Sequence, residues 1–119
     1  MKYMIMMFGG VAASMADRSP EWFAGLHALT RELDDELREA GELVGGGRLI
    51  DPSRARTVVL RNGAPVATDG PFAEIKESVV GYWLVDATEE RAIEVAARMV
   101  AYVEHPIEVR QVMDDSLQP

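Results

Sequence analysis

Asp69, Glu74, Lys76 and Glu77 crowd around Gly70-Pro71-Phe72, directly ahead of the apolar run Val79 to Val85. Two kinds of carboxylate beside a lysine are the residue types that metal-free acid–base chemistry uses. In that arrangement Asp69 or Glu77 takes a proton, and Lys76, Tyr82 or Arg110 stabilises the charge that develops. A turn rarely needs so much charge next to a core strand, so a polar pocket that binds a small molecule is one expectation.

Each of these residues also has a purely structural reading. Aspartate before Gly-Pro caps its own turn by accepting backbone N–H bonds, and Gly70 escapes the crowding that proline imposes on the residue before it. Phe72 reads as a hydrophobic plug. Glu74, Lys76 and Glu77 form surface pairs of low value, or they line the pocket. Tyr82 brings a hydroxyl that needs a partner if its strand face is covered. Arg110 stands on the opposite strand face from Val109, where it forms an ion pair or holds an anionic ligand.

The remaining candidates are fewer. His27 and His105 are the two histidines, the residue type that suits proton transfer near neutral pH. His27 borders the apolar stripe of a helix, and His105 precedes a helix-ending proline where its charge would complement the helix dipole. There is no His-x-x-x-His pair and no calcium-loop pattern, so no metal is expected, nor any other cofactor. Gly45-Gly46-Gly47 lacks the spacing of a nucleotide-binding loop and fits a strand bulge. The acidic run Glu32 to Glu36 reads as a solvated helix face.

These residues have to be positioned by elements that periodicity makes visible. Met4 to Phe8 reads as a strand covered on both faces. Ser19-Pro20-Glu21 starts a helix, with Phe23, Leu26, Thr30, Leu33, Leu37 and Ala40 on one stripe and Gly41 as its stop. Glu42 to Ile50 is a second strand. Thr57 to Leu60 and Val66 to Thr68 flank the turn signal Asn62-Gly63, with Pro65 confining the returning arm to an edge. Val79 to Val85 is the best strand. Asp86 to Glu89 caps a second helix with Ala92, Ile93, Ala96, Met99, Val100 and Val103 on its stripe, and Ile107 to Met113 closes the domain. Without the hairpin the order is β-α-β-β-α-β, a ferredoxin-like α+β fold over residues 1–113 with a loose tail at 114–119.

Both crossovers send their helices to the same sheet face. Yet Val80, Tyr82 and Leu84, with Met4, Met6 and Phe8, make the opposite face apolar as well. That face needs a cover, and a second copy related by twofold symmetry is the economical one. The expected partners are therefore the chain itself, as a homodimer, and a small-molecule ligand.

Composition excludes other classes. With 119 residues, 48% hydrophobic and 27% charged, the chain is an ordinary single globular domain. Its net charge is −8, and Arg48, Arg54, Arg56 and Arg61 are its one local basic excess, so nucleic acid is not an expected partner. No stretch has the length of a membrane span. The absence of cysteine leaves the compartment open. Lys2 and the run Tyr3 to Phe8 resemble a signal peptide, but the apolar stretch is short and reads equally as a buried strand, which favours the cytoplasm.

Tyr3 to Phe8, Gly41 to Gly47, the block Asp69-Gly70-Pro71-Phe72-Ala73-Glu74-Ile75-Lys76-Glu77, Gly81-Tyr82 and Ile107 to Arg110 together resemble the YCII-related, DGPF-domain proteins of bacteria. The resemblance runs over about residues 1–113. It implies a dimeric α/β barrel and a small cytoplasmic bacterial protein. It implies no particular activity: many members look like neighbours or fusion partners of extracytoplasmic-function sigma factors, which makes a non-catalytic regulatory module the alternative function. One branch resembles an enzyme with a histidine–aspartate pair whose histidine lies on the first helix. Its place falls near Thr30 here, with His27 about one turn earlier.

Overall fold

The computed structural model describes residues 1–9, 15–74 and 77–114 of the chain. Strand β1 (Lys2–Phe8) is followed by helix α1 (Pro20–Glu39), strand β2 (Leu43–Arg48), a hairpin of β3 (Arg56–Arg61) and β4 (Ala64–Asp69), strand β5 (Val79–Asp86), helix α2 (Glu89–Val103) and strand β6 (Glu108–Gln111). The helix signals in the sequence act as expected. Ser19 caps α1 by accepting from the Trp22 N–H, and Pro20 occupies the first turn. At the other end Gly41 takes φ 72°, which lets the Glu42 N–H reach the Leu37 carbonyl and the Gly41 N–H reach that of Arg38. This pair of bonds satisfies carbonyls that the helix itself leaves open. Thr88 caps α2 in the same way as Ser19, accepting from the Arg91 N–H.

The four main strands form one antiparallel sheet in the order β2-β5-β1-β6. The run Tyr3 to Phe8 is thus an inner strand, hydrogen-bonded to β5 on one side and β6 on the other. Directly opposed residues share a face, so the pairing sorts the side chains. Tyr3, Val85 and Leu43 lie on one face with Ile5, Trp83 and Val109, and Met4, Leu84 and Arg110 lie on the other with Met6, Tyr82 and Glu108. The first face carries the core. Tyr3, Ile5, Trp83 and Val85 pack against Leu33 and Leu37 of α1 and against Ala92, Val95, Ala96, Met99 and Val103 of α2. On α2 the stripe is rotated slightly from the expected one: Val95 is buried, while Ile93 is exposed.

The helices touch closely at one point. A side-chain carbon at Gly25 would collide with the Tyr102 hydroxyl, which donates to the Trp22 carbonyl at 2.7 Å. Across the sheet, β2 carries a register shift between Leu43 and Gly45, the bulge that the triple glycine suggested. A Cβ on Gly46 would lie 2.7 Å from the Tyr82 carbonyl oxygen, so the bulged strand can sit against β5 only as glycine.

In this single chain the sheet is open, not closed into a barrel. Its second face holds Met4, Phe8, Tyr82 and Leu84 half-buried and Met6 buried, with no layer of helices over them among the described residues. The β3–β4 hairpin pairs with itself and with no strand of the main sheet. Asn62 and Gly63 form its turn with φ 49° and 78°, the left-handed pair that matches strand twist. The hairpin stands away as an arm, with Val58 66% and Leu60 71% exposed. It helps raise the radius of gyration to 16.3 Å, against about 13.5 Å for a compact chain of this length. Among the described residues no helix is long and apolar enough to cross a membrane.

Candidate functional site

Burial along α1 is uneven. Leu33 and Leu37 are fully enclosed, whereas Leu26 is half-buried and Phe23 exposed. The N-terminal half of the helix therefore stands off the sheet, and a cleft of about 820 Å³ opens beneath it. Its apolar lining comes from Met7, Met15, Phe23, Leu26, Leu49, Ile50 and Met99, and its polar groups are His27, Thr30, Arg31, Asp34 and Arg48. A second hollow of about 410 Å³ shares Met7, Thr30, Asp34 and Arg48 with the first and runs along the Gly45–Gly47 edge to Arg38, Tyr82 and Trp83. Size and lining suit a small-molecule site: mostly apolar walls with a few polar groups.

Two contacts organise the polar groups. The buried Trp83 indole donates from Nε1 to Asp34 Oδ1 at 2.6 Å, the acceptor that an enclosed indole N–H requires. Arg48 Nη1 lies 3.3 Å from His27 Nε2. A guanidinium has no lone pair to offer, so the imidazole nitrogen accepts and the ring proton sits on Nδ1. Thr30, between the two, turns its hydroxyl to the Leu26 carbonyl at 2.9 Å. Neither Arg31 nor Arg48 has an ion-pair partner among the described residues, whereas Arg18, Arg38, Arg56, Arg91, Arg98 and Arg110 each hold a carboxylate. The cleft thus presents an anchored carboxylate and a separate, uncompensated cationic group over an apolar floor.

The sequence-derived candidates lie elsewhere. Asp69 ends β4 on the arm, with its side chain 95% exposed and Arg56 Nε 3.1 Å away; the carboxylate binds that arginine and does not cap the turn. Gly70 takes φ 94°, a conformation open to glycine, and its carbonyl accepts from the Thr57 hydroxyl at 2.7 Å. Phe72 is 93% exposed and plugs nothing in its own chain. Glu77 is exposed beside the start of β5, and Lys76 lies outside the described residues. Tyr82 and Arg110 do stand on the open sheet face, as strand parity indicated, with Arg110 paired to Glu108. Of the four described candidates, Asp69, Glu77, Tyr82 and Arg110, only Tyr82 borders the cleft region. Those four are not gathered at one place within the single chain.

One reading from the sequence changes. The run Glu32 to Glu36 is not a simple solvated face. Asp34 turns inward to Trp83, and Glu36 faces α2, where Arg91 and Arg98 bind it at 3.0 and 2.7 Å. The hydrogen bond from Arg91, reinforced by the charge of Arg98, holds the Glu36 carboxyl below its ordinary value of 4.5. Asp34 had a signal in the sequence that was not used: it follows Thr30 by four and His27 by seven residues, which puts all three on one side of the helix. His105 places its Nδ1 3.3 Å from the Pro106 carbonyl, just beyond the end of α2. Among the described residues no three His, Asp or Glu side chains converge as a metal site would require.

Comparison with known proteins places this architecture. The family model described as the YCII-related domain matches residues 1–115. An uncharacterized protein of Rhizobium meliloti (strain 1021) is 39% identical over 59 residues, a stretch covering 49% of this chain and 48% of that protein. The chain thus matches about half the length of that relative. The match to the family model covers nearly every residue, β1 to β6 included, and the chain belongs to the YCII-related domain family.

Proposed function

We propose that the protein binds a small organic molecule in the cleft beneath α1 and performs metal-free acid–base chemistry there. Asp34, fixed by Trp83 on one side of the cleft and not ion-paired with Arg48 or Arg31, is the observation that carries this reading. A carboxylate held by one oxygen keeps the other free to exchange a proton, and the cationic groups opposite can hold a ligand in register. His27, with Nε2 turned to Arg48, is the second candidate for proton transfer. A thermal-shift screen of metabolites on the wild type and on Asp34→Asn tests the reading. A ligand that stabilises the wild type and not the variant supports it; equal stabilisation removes Asp34 from the site.

The working unit of this proposal is a twofold dimer closing into an α/β barrel, in a small cytoplasmic bacterial protein. The apolar open sheet face and the exposed apolar side of the arm support the dimer, since contiguous surface of this kind is seldom left to water. Family membership and a bacterial relative support the setting. In such a pair Asp69, Glu77, Tyr82 and Arg110, dispersed over one subunit, would have a second copy to meet, and Lys76 is proposed to act with them. Their joint action as base and charge partners is proposed on that basis alone, and Asp69→Ala in the same screen tests it.

The same open face favours a second reading, a non-catalytic interaction or regulatory module associated with extracytoplasmic-function sigma factors. On that reading Asp34→Asn and Asp69→Ala leave every ligand response unchanged, while charge placed on the sheet face abolishes association.

A further inference from the structure

Resting on the ligand-binding reading of the cleft, we infer that its ligand is an organic carboxylate with an apolar body, held head-on by Arg48 with Arg31 beside it. The chain has 20 acidic side chains to 12 basic ones, so an arginine left without a carboxylate is not explained by a shortage of partners. Among the described residues Arg31 and Arg48 are two such arginines, and both line this cleft; Arg54 and Arg61, the other two without a carboxylate there, lie on or beside the arm. Glu32, Asp35 and Glu36 surround Arg31 in sequence, yet they pair with Arg98, Arg38 and Arg91.

Arg48 is also held in place without being neutralised. Its contact is the accepting nitrogen of His27, a neutral group that fixes the direction of the guanidinium and leaves its full charge available. A positioned guanidinium with open donors matches a carboxylate in shape and charge. A lysine there would be a mobile point charge. Behind the cations the wall is Met7, Met15, Leu26 and Met99, thioethers and a branched alkyl group that adapt to an apolar body and offer no polar partner. Asp34 then stands near the body of the ligand, where its charge would repel a second carboxylate. The geometry therefore selects monocarboxylates over dicarboxylates.

Titration calorimetry on the protein with benzoate and hexanoate, set against benzamide and hexanamide, tests this. Saturable binding of the carboxylates, with the amides at least tenfold weaker, is expected; so is a loss of tenfold or more in Arg48→Gln at unchanged melting temperature. Rising salt should weaken carboxylate binding, since the site is open to solvent. Carboxylates and amides binding equally, with both blocked by Thr30→Phe, which fills the junction of the two hollows, would overturn the carboxylate assignment and leave the cleft a ligand site. If no compound of either kind binds the wild type, the carboxylate assignment fails. If Asp34→Asn also alters no response in the metabolite screen, the ligand-binding reading fails with it.

Discussion

Trp83 and Asp34 show how one side chain can be claimed by two demands. The indole N–H is enclosed by the core and needs an acceptor, and α1 supplies a carboxylate that would otherwise face water. Replacing Trp83 with Phe removes the donor and leaves a half-exposed carboxylate that water can reach, so the loss of stability should be about 1 kcal/mol beyond the packing change, read by urea denaturation against Asp34→Ala and the double variant. A coupling energy near zero in that cycle would mean the bond contributes nothing. Glu36 gives a prediction in pH. Its folded carboxyl titrates below the ordinary value because Arg91 and Arg98 favour its charged form. A depressed folded value stabilises the fold above the unfolded pKa, and that contribution disappears as pH falls through the folded one. Wild type should therefore exceed Glu36→Gln in stability at neutral pH, and the gap should close on acidification; a gap constant with pH would refute the assignment.

At the scale of elements, α1 does two jobs with its two halves. Leu33 and Leu37 anchor its C-terminal half, both fully buried, and either one changed to Ala should cost about 2–5 kcal/mol by transfer loss and cavity formation. Urea midpoints read this directly. The N-terminal half covers the cleft with Phe23, Leu26 and His27, while Thr30 and Asp34 reach it from beyond the helix midpoint, and Gly25 lets Tyr102 of α2 approach the helix. Gly25→Ala should therefore displace Tyr102 from the Trp22 carbonyl and lower the melting temperature, whereas Ala at Gly45, where a Cβ meets nothing, should change it little. Helix starts, stops and the hairpin turn were legible because caps, prolines and Asn-Gly act within a few residues. The α2 stripe was misplaced by part of a turn, since Ile93 and Val95 are equally apolar and only the direction of approach of the sheet decides which is buried.

For the whole molecule, the arm and the open sheet face define what one chain leaves unfinished. Both are apolar, and a two-stranded hairpin standing alone is marginally stable. Analytical ultracentrifugation should find a dimer at micromolar concentration. Leu84→Asp on the sheet face should dissociate it, and Leu60→Asp on the arm should weaken it if the arm reaches the second copy. A monomer at that concentration would refute the closed barrel. Asp69 and Phe72, at the base of the arm and just beyond it, are nearly fully exposed in one chain, and on the dimer proposal their roles lie in the second copy.

The amino-acid sequence by itself determined the order of elements, their caps, the parity of β1 and β5 and the family, because all of these depend on residue spacing or on a contiguous motif. Tertiary structure alone decided the site. His27, Asp34 and Arg48 come from two elements and become neighbours only when α1 lies across β2 and β5, while Asp69, the first residue of the conspicuous charged block, is carried on the arm. Charge density along a chain says where polar groups are made; which of them meet depends on packing that no local spacing records.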